Sequence, residues 1–123
     1  MENPNQLSPL TLAFLGDAVF ELLVRERLVK KANRQSKKLH AESIKLVNAV
    51  SQSAAVEKIL PLLTEDEAAA YRRGKNAKVE HIPKGATVMQ YNMATGLEAL
   101  FGWLYLKGET SRINELFEAI VSE

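Results

Sequence analysis

Asp17 and Glu98 are the two residues of this 123-residue chain whose surroundings call for a chemical explanation. Asp17 lies within Phe14-Leu15-Gly16-Asp17-Ala18-Val19-Phe20, and Glu98 within Thr95-Gly96-Leu97-Glu98-Ala99-Leu100-Phe101-Gly102, in the most apolar parts of the sequence. An unpaired carboxylate in the buried stripe of a helix is costly, so each acid is expected to face a partner, and a shared divalent cation satisfies both. The alternative is that each simply lies on the exposed side of its helix. Glycine stands beside both acids, at Gly16 and at Gly96 and Gly102. Because Gly costs about 1 kcal/mol relative to Ala inside a helix, three of them point to close helix–helix approach. Glu21 follows Asp17 by four residues and precedes Arg25 by four, the favourable order for a helix ion pair, which assigns it a structural role.

Other chemistries find little support. His40 and His81 stand far apart, neither within a metal-ligand spacing such as His-Glu-x-x-His; His40 reads as a helix-face residue and His81 as a loop residue able to touch a phosphate. No Walker or dinucleotide glycine loop and no Gly-x-Ser-x-Gly elbow occurs. Without cysteine there is no disulfide framework, thiolate metal site or Cys nucleophile, and a cytoplasmic location is the default expectation. The start Met-Glu-Asn-Pro-Asn-Gln lacks the basic opening of a secretion signal. No apolar run reaches the roughly 18 residues of a membrane span, so no membrane partner is expected.

The net charge of +1 hides a segregation, since fourteen of the sixteen Lys/Arg fall between Arg25 and Lys84 with only seven of the fifteen acids. A basic middle suggests a polyanionic partner, while acids embedded in apolar end segments suggest carboxylates held at defined positions; the alternative that composition leaves equally open is a mixed-charge solvated surface.

The elements that must carry these residues are all helical, and the chain, 1–123, reads as one all-α domain. Ser8 as N-cap and Pro9 at the first position open a long helix to Lys31, with Leu12, Leu15, Val19, Leu22 and Leu23 at helical spacing. Ser36 is expected to cap a second helix with an apolar face of Leu39, Ile44, Leu46, Val47 and Val50, and a shorter third helix to run from Ser53 toward Pro61. Thr64-Glu65-Asp66-Glu67 has the capping-box pattern, and Gly74 is expected to close the fourth helix in a left-handed conformation. Arg72 to Gly85 reads as a basic loop, Thr87 to Lys107 as a helix stopped by Gly108, and a last helix runs through Ile113, Leu116, Phe117 and Ile120.

Phe14-Leu15-Gly16-Asp17-Ala18-Val19-Phe20 resembles the signature of the ribonuclease III catalytic domain, and Leu97-Glu98-Ala99-Leu100-Phe101-Gly102-Trp103-Leu104-Tyr105-Leu106 resembles its second acidic motif. The whole chain is similar to the Mini-III subfamily, which is essentially this domain alone, and Arg72-Arg73-Gly74-Lys75-Asn76-Ala77-Lys78 looks like that subfamily's basic motif. Where longer relatives begin the first motif Glu-Arg-Leu-Glu, this chain has Leu10-Thr11-Leu12-Ala13, and Thr95 stands where they carry an Asp. Only Asp17 and Glu98 carry over. With no double-stranded-RNA-binding domain after the second motif, the catalytic domain itself is expected to grip the RNA.

The resemblance implies a Mg²⁺-dependent endoribonuclease that cleaves double-stranded RNA, with Asp17 and Glu98 as catalytic metal ligands, partly through waters. Its products would carry 5′-phosphate and 3′-hydroxyl ends. Arg72, Arg73, Lys75, Lys78 and Lys84 are expected to contact phosphates, and Asn76 offers a neutral donor toward a 2′-hydroxyl, which suits A-form RNA read by shape. The resemblance also points to the large-subunit (23S) ribosomal RNA precursor as substrate. Because one Asp17/Glu98 site cuts one strand, cutting both calls for two sites on a two-fold axis, so a symmetric homodimer is expected; Leu10, Phe14 and Leu15 are the interface candidates, the alternative being that they pack only within the monomer. The rival reading is a non-catalytic helical RNA-binding or ribosome-assembly module, which metal-dependent strand scission would rule out.

Overall fold

The computed structural model describes residues 3–77 and 84–122. It is all-α, with no strand among the described residues. The helices are α1 (Pro9–Lys31), α2 (Ser36–Leu46), α3 (Ala49–Ile59), α4 (Glu65–Lys75), α5 (Val88–Leu106) and α6 (Thr110–Val121), with short 3₁₀ turns at Pro4–Gln6 and Leu60–Leu62. No described helix is long and apolar enough to cross a membrane.

Helix α5 is the axle. From Ala94 to Leu104 every residue is buried except Glu98. The other helices enclose it, α1 most extensively, then α4 and α3. Leu12, Phe20 and Val24 of α1, Val56 and Ile59 of α3, and Leu116 and Phe117 of α6 meet Leu97, Leu100, Phe101 and Leu104 of α5 in one core. The Phe20 ring stands edge-on to Phe101 at 5.7 Å and to Phe117 at 5.9 Å, an arrangement that adds about 0.5–1.5 kcal/mol per pair beyond area burial.

The α1–α5 approach requires glycine. A Cβ on Gly16 would fall on the Glu98 carbonyl oxygen, and one on Gly102 on the Leu12 carbonyl oxygen, so the two backbones are in direct contact at this crossing. Gly96 faces Tyr71 of α4 instead, so all three glycines flanking the acids are packing residues, as their cost inside helices suggests.

Local chemistry places most helix ends. The Ser8 side chain accepts from Thr11 N with Pro9 at the first position, and Thr64 and Thr87 each form a full capping box, with Glu67 and Gln90. Gly108, at φ +73°, stops α5. Glu67 also binds Arg112 of α6 through two 2.8 Å hydrogen bonds, and that guanidinium holds the Glu67 carboxyl below the usual carboxylate range. Arg112 donates further to the Leu62 carbonyl at 2.7 Å, tying the entry of α4 to α6.

Several expectations about the elements need correction. Ser36 is the first helical residue of α2, whose N-cap is Gln35 with no side-chain capping bond. The chain breaks at Asn48, whose Oδ1 accepts from Ser51 N at 2.9 Å, so α3 starts at Ala49, and Ser53 lies inside it, its hydroxyl donating to the Val50 carbonyl. Ile44, Leu46 and Val50 consequently do not form a buried face; all three are exposed. Gly74 is not left-handed: it lies within α4, where it lets Tyr71 and its neighbours rest on Gly96 and Ala99 of α5. Arg72, Arg73 and Lys75 therefore belong to the last turn of α4 and not to a loop, where their charge also complements the helix dipole.

Candidate active site

Gly16 presses α1 onto the Glu98 carbonyl, and that contact brings Asp17, one residue on, level with the Glu98 side chain. The two carboxyls share a recess of about 550 Å³ whose wall also includes Asn48, Gln52, Tyr91 and Thr95. Asp17 is exposed and Glu98 only partly so, which corrects the symmetric picture of two buried acids. Burial first, and then repulsion from the Asp17 carboxylate, push the Glu98 carboxyl up to about 8. A cation between them removes that repulsion.

The donor set suits a hard divalent cation. Among the described residues no group of three or more His, Asp or Glu converges, so two carboxylates are what the recess offers. Mg²⁺ keeps several of its waters and is commonly held by one or two carboxylates, and the recess has room for those waters. Thr95 is buried and its hydroxyl donates to the Tyr91 carbonyl at 3.0 Å, a bond within its own helix. Glu21 takes the structural role expected of it, accepting from Arg25 Nε at 3.0 Å.

Of the basic candidates among the described residues, only Lys84 reaches the recess. Arg72, Arg73, Lys75 and Asn76 lie apart from it, at the end of α4. Arg73 also has a structural partner: it donates to Asn5 Oδ1 at 3.2 Å, the same oxygen that accepts from Trp103 Nε1 at 2.8 Å. Lys78 and His81 fall outside the described residues, and His40 is an exposed α2 residue. A separate groove of about 320 Å³ between α1, α3 and α6 has Arg27, Lys31 and Lys58 at its edge and no carboxylate in its lining.

Sequence reasoning passed over Gln52 and Asn48. The signal for Gln52 was its spacing: Gln52, Val56 and Ile59 fall on one face of α3, so an amide occupies a position in an apolar stripe. Starting the third helix at Ser53 hid that register.

The family model for the ribonuclease III domain matches residues 10–109, a span that contains both acidic motifs. The chain belongs to the ribonuclease III family. Within that family it is 44% identical over 119 residues to a Mini-ribonuclease 3 of Symbiobacterium thermophilum, covering 97% of this chain and 92% of the relative. It is 46% identical to a Mini-ribonuclease 3 of a Thermoanaerobacter species, covering 94% and 81%. A crystal structure of a Fusobacterium nucleatum protein, 32% identical, superposes with a TM-score of 0.89 over 98% of both chains. As a ribonuclease III family member similar to Mini-III proteins over nearly its whole length, the chain is an endoribonuclease, and the non-catalytic alternative falls.

Proposed function

We propose that residues 1–123 act as one catalytic domain that cleaves double-stranded RNA with Mg²⁺ held by Asp17 and Glu98. The observation that carries this reading is the convergence of those two carboxyls in one open recess at the α1–α5 crossing. Bound there, the ion would supply a water of lowered pKa and neutralise charge on the scissile phosphate, and cleavage is expected to leave 5′-phosphate and 3′-hydroxyl ends. Asp17 and Glu98 orient the ion's shell and give their negative charge to it. Lys84, on the rim, meets the phosphate as it arrives, while Arg72, Arg73, Lys75 and Asn76 at the end of α4 hold the duplex farther along, joined by Lys78, which follows them in the sequence. Contacts of this kind read A-form shape more than sequence. The substrate class is then duplex RNA, with the large-subunit ribosomal RNA precursor in the cytoplasm as the proposed natural one. Matched duplex RNA, single-stranded RNA and duplex DNA, each incubated with Mg²⁺, test the class: only the first is expected to be cut, and equal cutting of the single strand overturns it.

Replacing Arg72, Arg73, Lys75 and Lys78 together with Ala is expected to weaken duplex binding and flatten its salt dependence, because fewer counterions are released. An unchanged slope of log K against log salt moves the RNA surface elsewhere.

The working unit we propose is a symmetric homodimer, since one site cuts one strand and a two-fold axis matches that of the duplex. Leu10 and Phe14 support it: they stand four apart on α1, and Phe14, beside the Asp17 motif, is 84% exposed. Leu15 is half-buried. Phe14→Arg is expected to leave a monomer by light scattering, because an unpaired charge in a small apolar interface costs several kcal/mol. A wild-type mass that stays at 13.7 kDa while both strands are cut contradicts the dimer.

A further inference from the structure

Gln52 is 4% exposed, and its Nε2 forms no hydrogen bond, the one such buried side-chain atom among the described residues. A buried amide donor left unpaired destabilises a fold, so the position calls for a reason outside the packing itself. The reason lies in its neighbours. Gln52 lines the recess with Asp17 and Glu98, and its side chain lies near enough to Glu98 to favour the charged carboxylate without completing a bond. An ionised carboxylate only accepts, so the amide nitrogen is the end of Gln52 that suits it.

The amide is also held on a rigid support. Asn48 caps α3 one turn earlier and its Nδ2 donates to the Ile44 and Lys45 carbonyls at 2.9 and 3.0 Å, which fixes the α2–α3 junction. Val56 and Ile59, on the same face, are fully buried in the core. Gln52 is thus presented to Glu98 by an element that has little freedom to withdraw it.

We infer that Gln52 is a positioning residue whose Nε2 closes onto the Glu98 carboxylate when that carboxylate engages a divalent cation, and so sets the cation affinity of the recess. The inference rests on the proposed cation site at Asp17 and Glu98. Partners of this kind, behind a metal's ligands, typically change metal affinity 10–100-fold when removed.

The test uses Mn²⁺ as probe, its binding to the purified protein followed by electron paramagnetic resonance, together with the thermal midpoint of the metal-free protein. Gln52→Met keeps the length and removes the donor, and Gln52→Leu serves as a second apolar variant. Both are expected to weaken Mn²⁺ binding about 10–100-fold. Both are also expected to hold or raise the metal-free midpoint, because an unpaired buried amide is exchanged for an apolar group. Unchanged Mn²⁺ affinity in the two variants, or a fall in the midpoint of both with affinity unchanged, makes Gln52 a packing residue and overturns the inference. Glu98→Gln separates the premise from the inference: if the wild type binds Mn²⁺ no better than this variant, the cation site itself fails.

Discussion

Glu98→Gln is expected to abolish cleavage, by on the order of a thousandfold or more, while making the metal-free protein more stable at pH 8. Both effects follow from one carboxyl. In the folded chain burial and the Asp17 carboxylate raise Glu98 from 4.5 to about 8. Between those values the folded state holds a proton that the unfolded state has released, so stability falls as pH rises through the window and stays reduced above it. The amide of Gln carries no charge, keeps the volume and removes that loss. One pKa unit corresponds to about 1.4 kcal/mol, and allowing for the partial exposure of Glu98 the gain at pH 8 is expected to be about 1–3 kcal/mol, vanishing near pH 4. Thermal unfolding without divalent ions at pH 4 and pH 8, beside a duplex cleavage assay, checks both parts. A variant that keeps its turnover, or is less stable than wild type at pH 8, contradicts them.

The second large effect concerns the crossing that makes the site. Gly16→Ala is expected to destabilise the protein by more than about 4 kcal/mol, the range reserved for serious steric conflict. Its new Cβ meets the carbonyl of Glu98, backbone that has no rotamer to yield. The helices must separate there, loosening Leu12 and Phe20 from Leu97, Leu100 and Phe101 and parting the two carboxyls. Gly108→Ala is the control. At φ +73° with nothing within 4 Å of the added carbon, it is expected to cost only the left-handed strain of about 1–2 kcal/mol. Urea midpoints of the two variants compare them directly, and a Gly16→Ala protein within about 1 kcal/mol of wild type would show that the crossing can relax.

What could be read from the chain divides along physical lines. Ser8 with Pro9, Thr64 with Glu67, and Gly108 were legible because capping is local chemistry, complete within a few residues. The break at Asn48 was not, since Ile44, Leu46, Val47 and Val50 continue at helical spacing across it and periodicity cannot show which of them are exposed. Gly74 shows the same limit: a glycine near a helix end serves as a stop or as a contact with another helix, and α5 decides which. At the site, Asp17 and Glu98 stood out because charge in an apolar run is a contrast visible in one dimension. Gln52 lacks that contrast; its meaning comes from a carboxyl on another helix, at a distance along the chain that no local pattern spans.

In the proposed reaction Asp17 and Glu98 together hold the ion that cuts the duplex. The most direct measurement incubates an end-labelled RNA duplex with wild type and Asp17→Asn, each with Mg²⁺ and with chelator, while duplex binding is followed in parallel. Wild type with Mg²⁺ alone is expected to yield fragments with 5′-phosphate and 3′-hydroxyl ends, and Asp17→Asn to bind the duplex as wild type does but leave it whole. Equal cleavage in chelator, or undiminished cleavage by Asp17→Asn, would contradict this.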